Sequence, residues 1–125
     1  MRTLLLIYIM RLRAVRNALF RRVQLAARRQ WAELGALDGD DGWDEQAWRD
    51  AVEPYFDEHH EIGTGADARG PHLLMIDYHA DRWHVRQILD DSAGYHDWAI
   101  TADVDLPASD EAGVAVLRVS AVGPL

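Results

Sequence analysis

DWAITADVDL, residues 97–106, alternates apolar and polar side chains with a period of two. Trp98, Ile100, Ala102, Val104 and Leu106 fall on one side, and Asp97, Thr101, Asp103 and Asp105 on the other. That period belongs to a β-strand with one face on a core and the other in water. Outward from it, HLLMIDY (72–78), RWHVRQILD (82–90) and VAVLRVSAV (114–122) read as three further strands. The connections HAD, DSAGYH and PASDEAG are short, which predicts sequential antiparallel hairpins.

Upstream of residue 72 the period is helical. Leu12, Val15, Leu19, Val23, Ala26, Ala27 and Leu34 form one broad stripe at 100° per residue, with Arg21, Arg22, Arg28 and Arg29 opposite. Gly35 is the expected terminator, and DGDDG (38–42) the turn that comes next. Asp44 suits the N-cap of a second helix whose stripe is Ala47, Trp48, Ala51, Val52, Tyr55 and Phe56. Pro54 predicts a kink or restart in it, with helix continuing to about His60. The expected fold class is α+β, two N-terminal helices packed on a four-stranded antiparallel meander sheet. Residues 14–125 are expected to form one domain, with 1–13 as an atypical N-terminal extension. MRTLLLIYIM lacks the length of a signal's apolar region and an A-x-A-like site, and falls far short of the ~20 apolar residues a membrane span needs.

Composition narrows the function classes. The chain has no cysteine, which removes disulfides, cysteine–zinc sites and thiol nucleophiles. All thirteen basic residues are arginine; without a lysine this chain is not by itself a P-loop ATPase. Residues 1–32 carry eight arginines and no acid, whereas 33–125 carry five arginines against twenty-one acids. A basic arm therefore sits on an acidic body, and phosphate binding is expected of the arm rather than of the body.

The richest local cluster is DEHHEIGTGADARGP, residues 57–71. Its glycines do not satisfy G-x-G-x-x-G, because residue 68 is alanine, and the order is helix then strand instead of strand then helix. His60-Glu61 is not followed by a histidine at the H-E-x-x-H spacing. Asp57, His60 and Glu61 share one helix face, a spacing that suits a metal or a helix-end histidine paired with a carboxylate. The structural reading is preferred: a helix terminator with Gly63 or Gly65 left-handed, and Arg69 free to pair with nearby acids. His84, His96 and Asp97 form an alternative pocket in which a His–Asp pair acts as general base; a solvated turn is the favoured rival. Arg21, Arg22, Arg28 and Arg29 are the best binding candidates, since arginine forks suit phosphate; their rival role is pairing with Asp38, Asp40, Asp41 and Glu45. Trp48, Trp83 and Trp98 are expected in the core, while Trp31 and Trp43 flank the acidic turn and stay open.

RNALFRRVQLAA (16–27), the tryptophan-then-DGDDGW passage (31–43), DEHHEIGTGADARGP (57–71), WHVRQILDDSAGYHDW (83–98) and VDLPASDEAG (104–113) occur in an order that resembles the C-terminal end of a family of actinobacterial DEAD/DEAH-box helicases. The resemblance covers roughly residues 14–125 and implies a domain of unknown function that lies C-terminal to the ATPase core. The motor motifs themselves are absent from this chain, and residues 1–13 do not resemble the family's upstream continuation. The order of elements is also similar to the nuclear-transport-factor-two-like fold. The expected function is that of a non-catalytic, cytoplasmic accessory domain contacting nucleic acid or a helicase core through its arginine helix. No cofactor, metal or membrane is expected, whereas a homodimer is among the expected forms. The alternative is a small cone-shaped ligand-binding protein, or an isomerase- or dehydratase-like enzyme, with its pocket at His84, His96 and Asp97.

Overall fold

The structure, a computed structural model, describes residues 2–125. Helix α1 (Arg2–Ala27) runs without interruption across residue 13, and α2 (Trp31–Asp38) begins after a three-residue break. The break is a Schellman termination: Gln30 N–H donates to the Leu25 carbonyl at 2.9 Å and Arg29 N–H to Ala26 at 3.0 Å. Arg29 occupies the left-handed position usually held by glycine, at φ 53°. The single helix expected over 12–34 is thus two helices. The apolar stripe continues through the corner, so periodicity alone conceals it.

Gly35 does not terminate a helix. It lies inside α2 where a Cβ would meet the Glu45 backbone nitrogen at 2.5 Å, so the glycine lets two backbones touch. A short 3-10 turn (Gly39–Asp41) ends at Gly42, φ 90°, and Asp44 then caps α3 (Glu45–Glu58) by accepting from Ala47 N–H at 2.8 Å. Helix α3 passes through Pro54 without a restart. Asp50 and Pro54 are both exposed, so the carbonyl freed by proline faces water.

Strands β1 (Leu74–Tyr78), β2 (Arg82–Ile88), β3 (Trp98–Asp105) and β4 (Leu117–Pro124) pair antiparallel in the order β1-β2-β3-β4. This is the α+β arrangement of helices followed by an open four-stranded meander. Trp83, Val85, Ile100, Ala102, Val104, Leu117 and Val119 pack inward. They meet Val15, Leu19 and Val23 of α1, Leu34 of α2, and Trp48, Val52 and Tyr55 of α3 in one core. Trp31 joins that core, and Trp43 lies half-buried with its ring 5.2 Å from Trp48. The connection after β3 is more structured than a plain hairpin loop. It holds α4 (Leu106–Ala112), capped by Asp105 through Ala108 N–H at 3.0 Å and closed by Gly113 at φ 73°.

The first two turns of α1 project from this core. Leu4 through Met10 are all exposed, with Tyr8 held against Tyr78 and Trp83 at the end of the sheet. No helix among the described residues is long and apolar enough to cross a membrane.

Candidate functional site

Eight arginines precede the first acid of the chain, and the four singled out by periodicity have different fates. Arg22 turns inward. It is buried, and its Nε and Nη2 donate to the two oxygens of buried Asp38 at 2.9 and 2.6 Å while Nη1 donates to the Ala18 carbonyl. This bidentate pair ties α1 to α2. Arg21 is exposed, 3.6 Å from Glu33. Arg28 is exposed and without an ion pair among the described residues, and the Arg29 guanidinium lies 3.8 Å above the Phe56 ring. Arg21, Arg28 and Arg29 therefore form a solvent-facing set at the α1–α2 corner.

The 57–71 stretch is organised by His59, not His60. Helix α3 ends at Glu58, so Asp57, His60 and Glu61 do not share a helical face, and His60 is exposed. Neither Gly63 nor Gly65 adopts a left-handed conformation. Gly63 serves close approach instead: its N–H donates to the Asp90 carbonyl at 2.7 Å, and a Cβ would lie 2.9 Å from the Asp90 carboxylate. Among the described residues Arg69 pairs with no acid, and it donates to Asn17 Oδ1 at 3.0 Å.

His59 continues the inward stripe of Trp48, Val52 and Tyr55 and is largely buried. Its Nε2 lies 3.0 Å from Asp97 Oδ1 and its Nδ1 3.7 Å from Asp91 Oδ2. Asp91 is buried and accepts Tyr95 N–H at 2.9 Å and His96 N–H at 2.7 Å. Burial pushes its carboxyl up, but those amides and the facing His59 outweigh burial and leave it below the usual carboxylate range. The ligand-capable atoms of His59, Asp91 and Asp97 lie within 4.8 Å of one another. The carboxylates, however, approach different ring nitrogens, and the Asp91 oxygens already hold two amides. The cluster locks the imidazole between α3 and the β2–β3 loop. Tyr55 completes it: its hydroxyl donates to the Glu61 carbonyl at 2.6 Å, and burial, then the nearby Asp91 carboxylate, raise its pKa.

The alternative pocket residues do not converge. His84 sits on the outer face of the sheet, Nδ1 2.9 Å from Asp103 Oδ1, beside a shallow groove with Met75, Asp77 and Arg86. His96 lies beyond the other end of β2, Nε2 3.1 Å from Asp90 Oδ1. Asp97 serves His59. The signal for His59 as the organising histidine is its place four residues after Tyr55 on the apolar stripe, which sets it apart from His60.

No curated protein and no solved structure matches the chain. The model of one family matches residues 10–122, nearly the whole of the fold, and on that match the chain belongs to the family of the domain of unknown function DUF3516.

Proposed function

We propose that the domain is a non-catalytic accessory and interaction module that contacts nucleic acid or a partner chain through Arg21, Arg28 and Arg29. One observation carries the reading: the basic residues of the first 32 positions have no acid among them, and three of the arginines stand exposed at one corner of an otherwise acidic molecule. Exposed guanidiniums of one sign, on rigid backbone, attract phosphate or carboxylate ligands with strong salt dependence. The resemblance to actinobacterial helicase tails adds a setting, a cytoplasmic protein working beside a motor core that another chain supplies. A ligand pocket at His84, His96 and Asp97 has less to rest on, because His84 lies away from the other two and each of the three already has its own partner.

The test is fluorescence anisotropy with single- and double-stranded oligonucleotides over a salt series. Arg21, Arg28 and Arg29 are replaced together by alanine, while Arg22 is kept because it is structural. If all three contact phosphates, the salt slope on single strands falls by about 2 in the variant. Equal binding by wild type and variant rules out the arginine corner.

A further inference from the structure

A second group of arginines gathers on α1, away from that corner. Arg13 and Arg16, one turn apart, and Arg69 from the 3-10 turn Asp67–Arg69 line a notch of about 300 Å³ with Ile9, Leu12 and Asn17. Arg16 Nη2 donates to the Arg69 carbonyl at 2.7 Å, and Arg69 Nη2 to Asn17 Oδ1 at 3.0 Å. The Arg69 guanidinium also lies over the Phe20 ring at 4.6 Å. These contacts order two of the side chains yet use one N–H of the five each guanidinium offers. Among the described residues, no carboxylate lies within 4.0 Å of Arg13, Arg16 or Arg69. Acids outnumber arginines 21 to 13 in this chain, so a counter-charge was plentiful, yet none stands in the notch. Three like charges lining one notch are relieved by a multivalent anion, and planar guanidinium forks match a phosphoryl group with paired N–H···O bonds.

We propose that the Arg13–Arg16–Arg69 notch is a binding site for a phosphoryl oxyanion. The site is distinct from the Arg21–Arg28–Arg29 corner and does not depend on it. Two sources share this chemistry: a free phosphate or pyrophosphate, and a backbone phosphate of nucleic acid. The test tracks the arginine Nε–Hε resonances of the labelled full chain by NMR, first with pyrophosphate and then with a single-stranded oligothymidine, against sodium chloride at matched ionic strength. Saturable shifts at Arg13, Arg16 and Arg69 are expected. Affinity should be about tenfold weaker in Arg13→Ala, the loss of roughly one charge-assisted contact. Arg13 makes no hydrogen bond or ion pair among the described residues, so this variant should keep the fold. Arg69→Lys keeps the charge but loses the fork, and should weaken binding similarly; its spectrum reports whether the fold is intact. A response to pyrophosphate assigns the free anion as a ligand, and a response to the oligonucleotide alone assigns backbone phosphate; either upholds the site. The proposal is overturned if neither probe moves the three resonances, if chloride moves them equally, or if Arg13→Ala binds as tightly as wild type. Shifts confined to Arg21, Arg28 and Arg29 also overturn it, while leaving the corner reading in place.

Discussion

Arg22 shows what a side chain's depth does to its role. On a helical wheel it belongs with Arg21, Arg28 and Arg29, yet its guanidinium is buried against Asp38, whereas its neighbours meet water. The pair is a structural joint, and removing one member leaves the other charged and buried. Arg22→Ala is therefore expected to cost about 3–5 kcal/mol in urea unfolding. Exchanging both partners for apolar residues, Arg22→Met with Asp38→Leu, should recover most of that loss. If Arg22→Ala alone is nearly neutral, the joint is not as described. The same depth argument separates His59 from His60, adjacent in sequence and opposite in fate: the first is enclosed by Tyr55, Asp91 and Asp97, and the second is exposed.

Elements meet where backbone can approach backbone. Helices α2 and α3 pack so closely at Gly35 that a Cβ would stand 2.5 Å from a Glu45 atom, whereas one at Gly39 would meet nothing within 4 Å. Gly35→Ala should force the helices apart and destabilise by about 1–3 kcal/mol. Gly39, at φ −60° and ψ −35°, has a backbone compatible with alanine, and Gly39→Ala should stabilise by about 0.4–1 kcal/mol. Thermal melts of the two variants should move in opposite directions, and movement in the same direction would count against the packing. Helix α4 shows the limit of periodicity for short elements. Asp105 at its N-cap, Pro107 in its first turn and Gly113 at its end are sequence signals of a short helix. They read as a mere connection because seven residues offer little periodicity.

The whole molecule carries groups that titrate at both ends of the pH scale. Burial, followed by the Tyr8 hydroxyl 3.0 Å away, pushes the Tyr78 phenol up from 10.0 to about 12. Tyr55 is raised as well, by burial and then by surrounding carboxylates. Above pH 10 the unfolded chain releases these protons while the folded chain keeps them. The Tyr78 contribution is complete below pH 10 and is lost as pH rises toward and through about 12, and that of Tyr55 is likewise lost on the alkaline side. Asp91 works in the opposite sense. Its folded pKa lies below the ordinary 3.8, so its contribution is present above that value and lost as pH falls through the folded one. Urea midpoints should decline on both sides of a neutral plateau, and Tyr55→Phe should flatten the alkaline decline. A variant with an unchanged alkaline limb would place that titration elsewhere.

At this scale the division between sequence and tertiary structure has a plain physical basis. Period and composition are properties of neighbours along the chain. They suffice for the α+β class, for β3 with its inward Trp98, Ile100, Ala102 and Val104, and for the Asp44 cap. They suffice also for the segregation of arginine from acid along the chain. They do not report depth or convergence. Only the fold buries Arg22 on Asp38, turns the chain at a left-handed Arg29, gives Gly35 to a helix crossing and sets His59 between two aspartates. Bringing Arg16 and Arg69 together across 53 positions is likewise a tertiary fact, because contact between distant residues is set by packing of the elements that carry them.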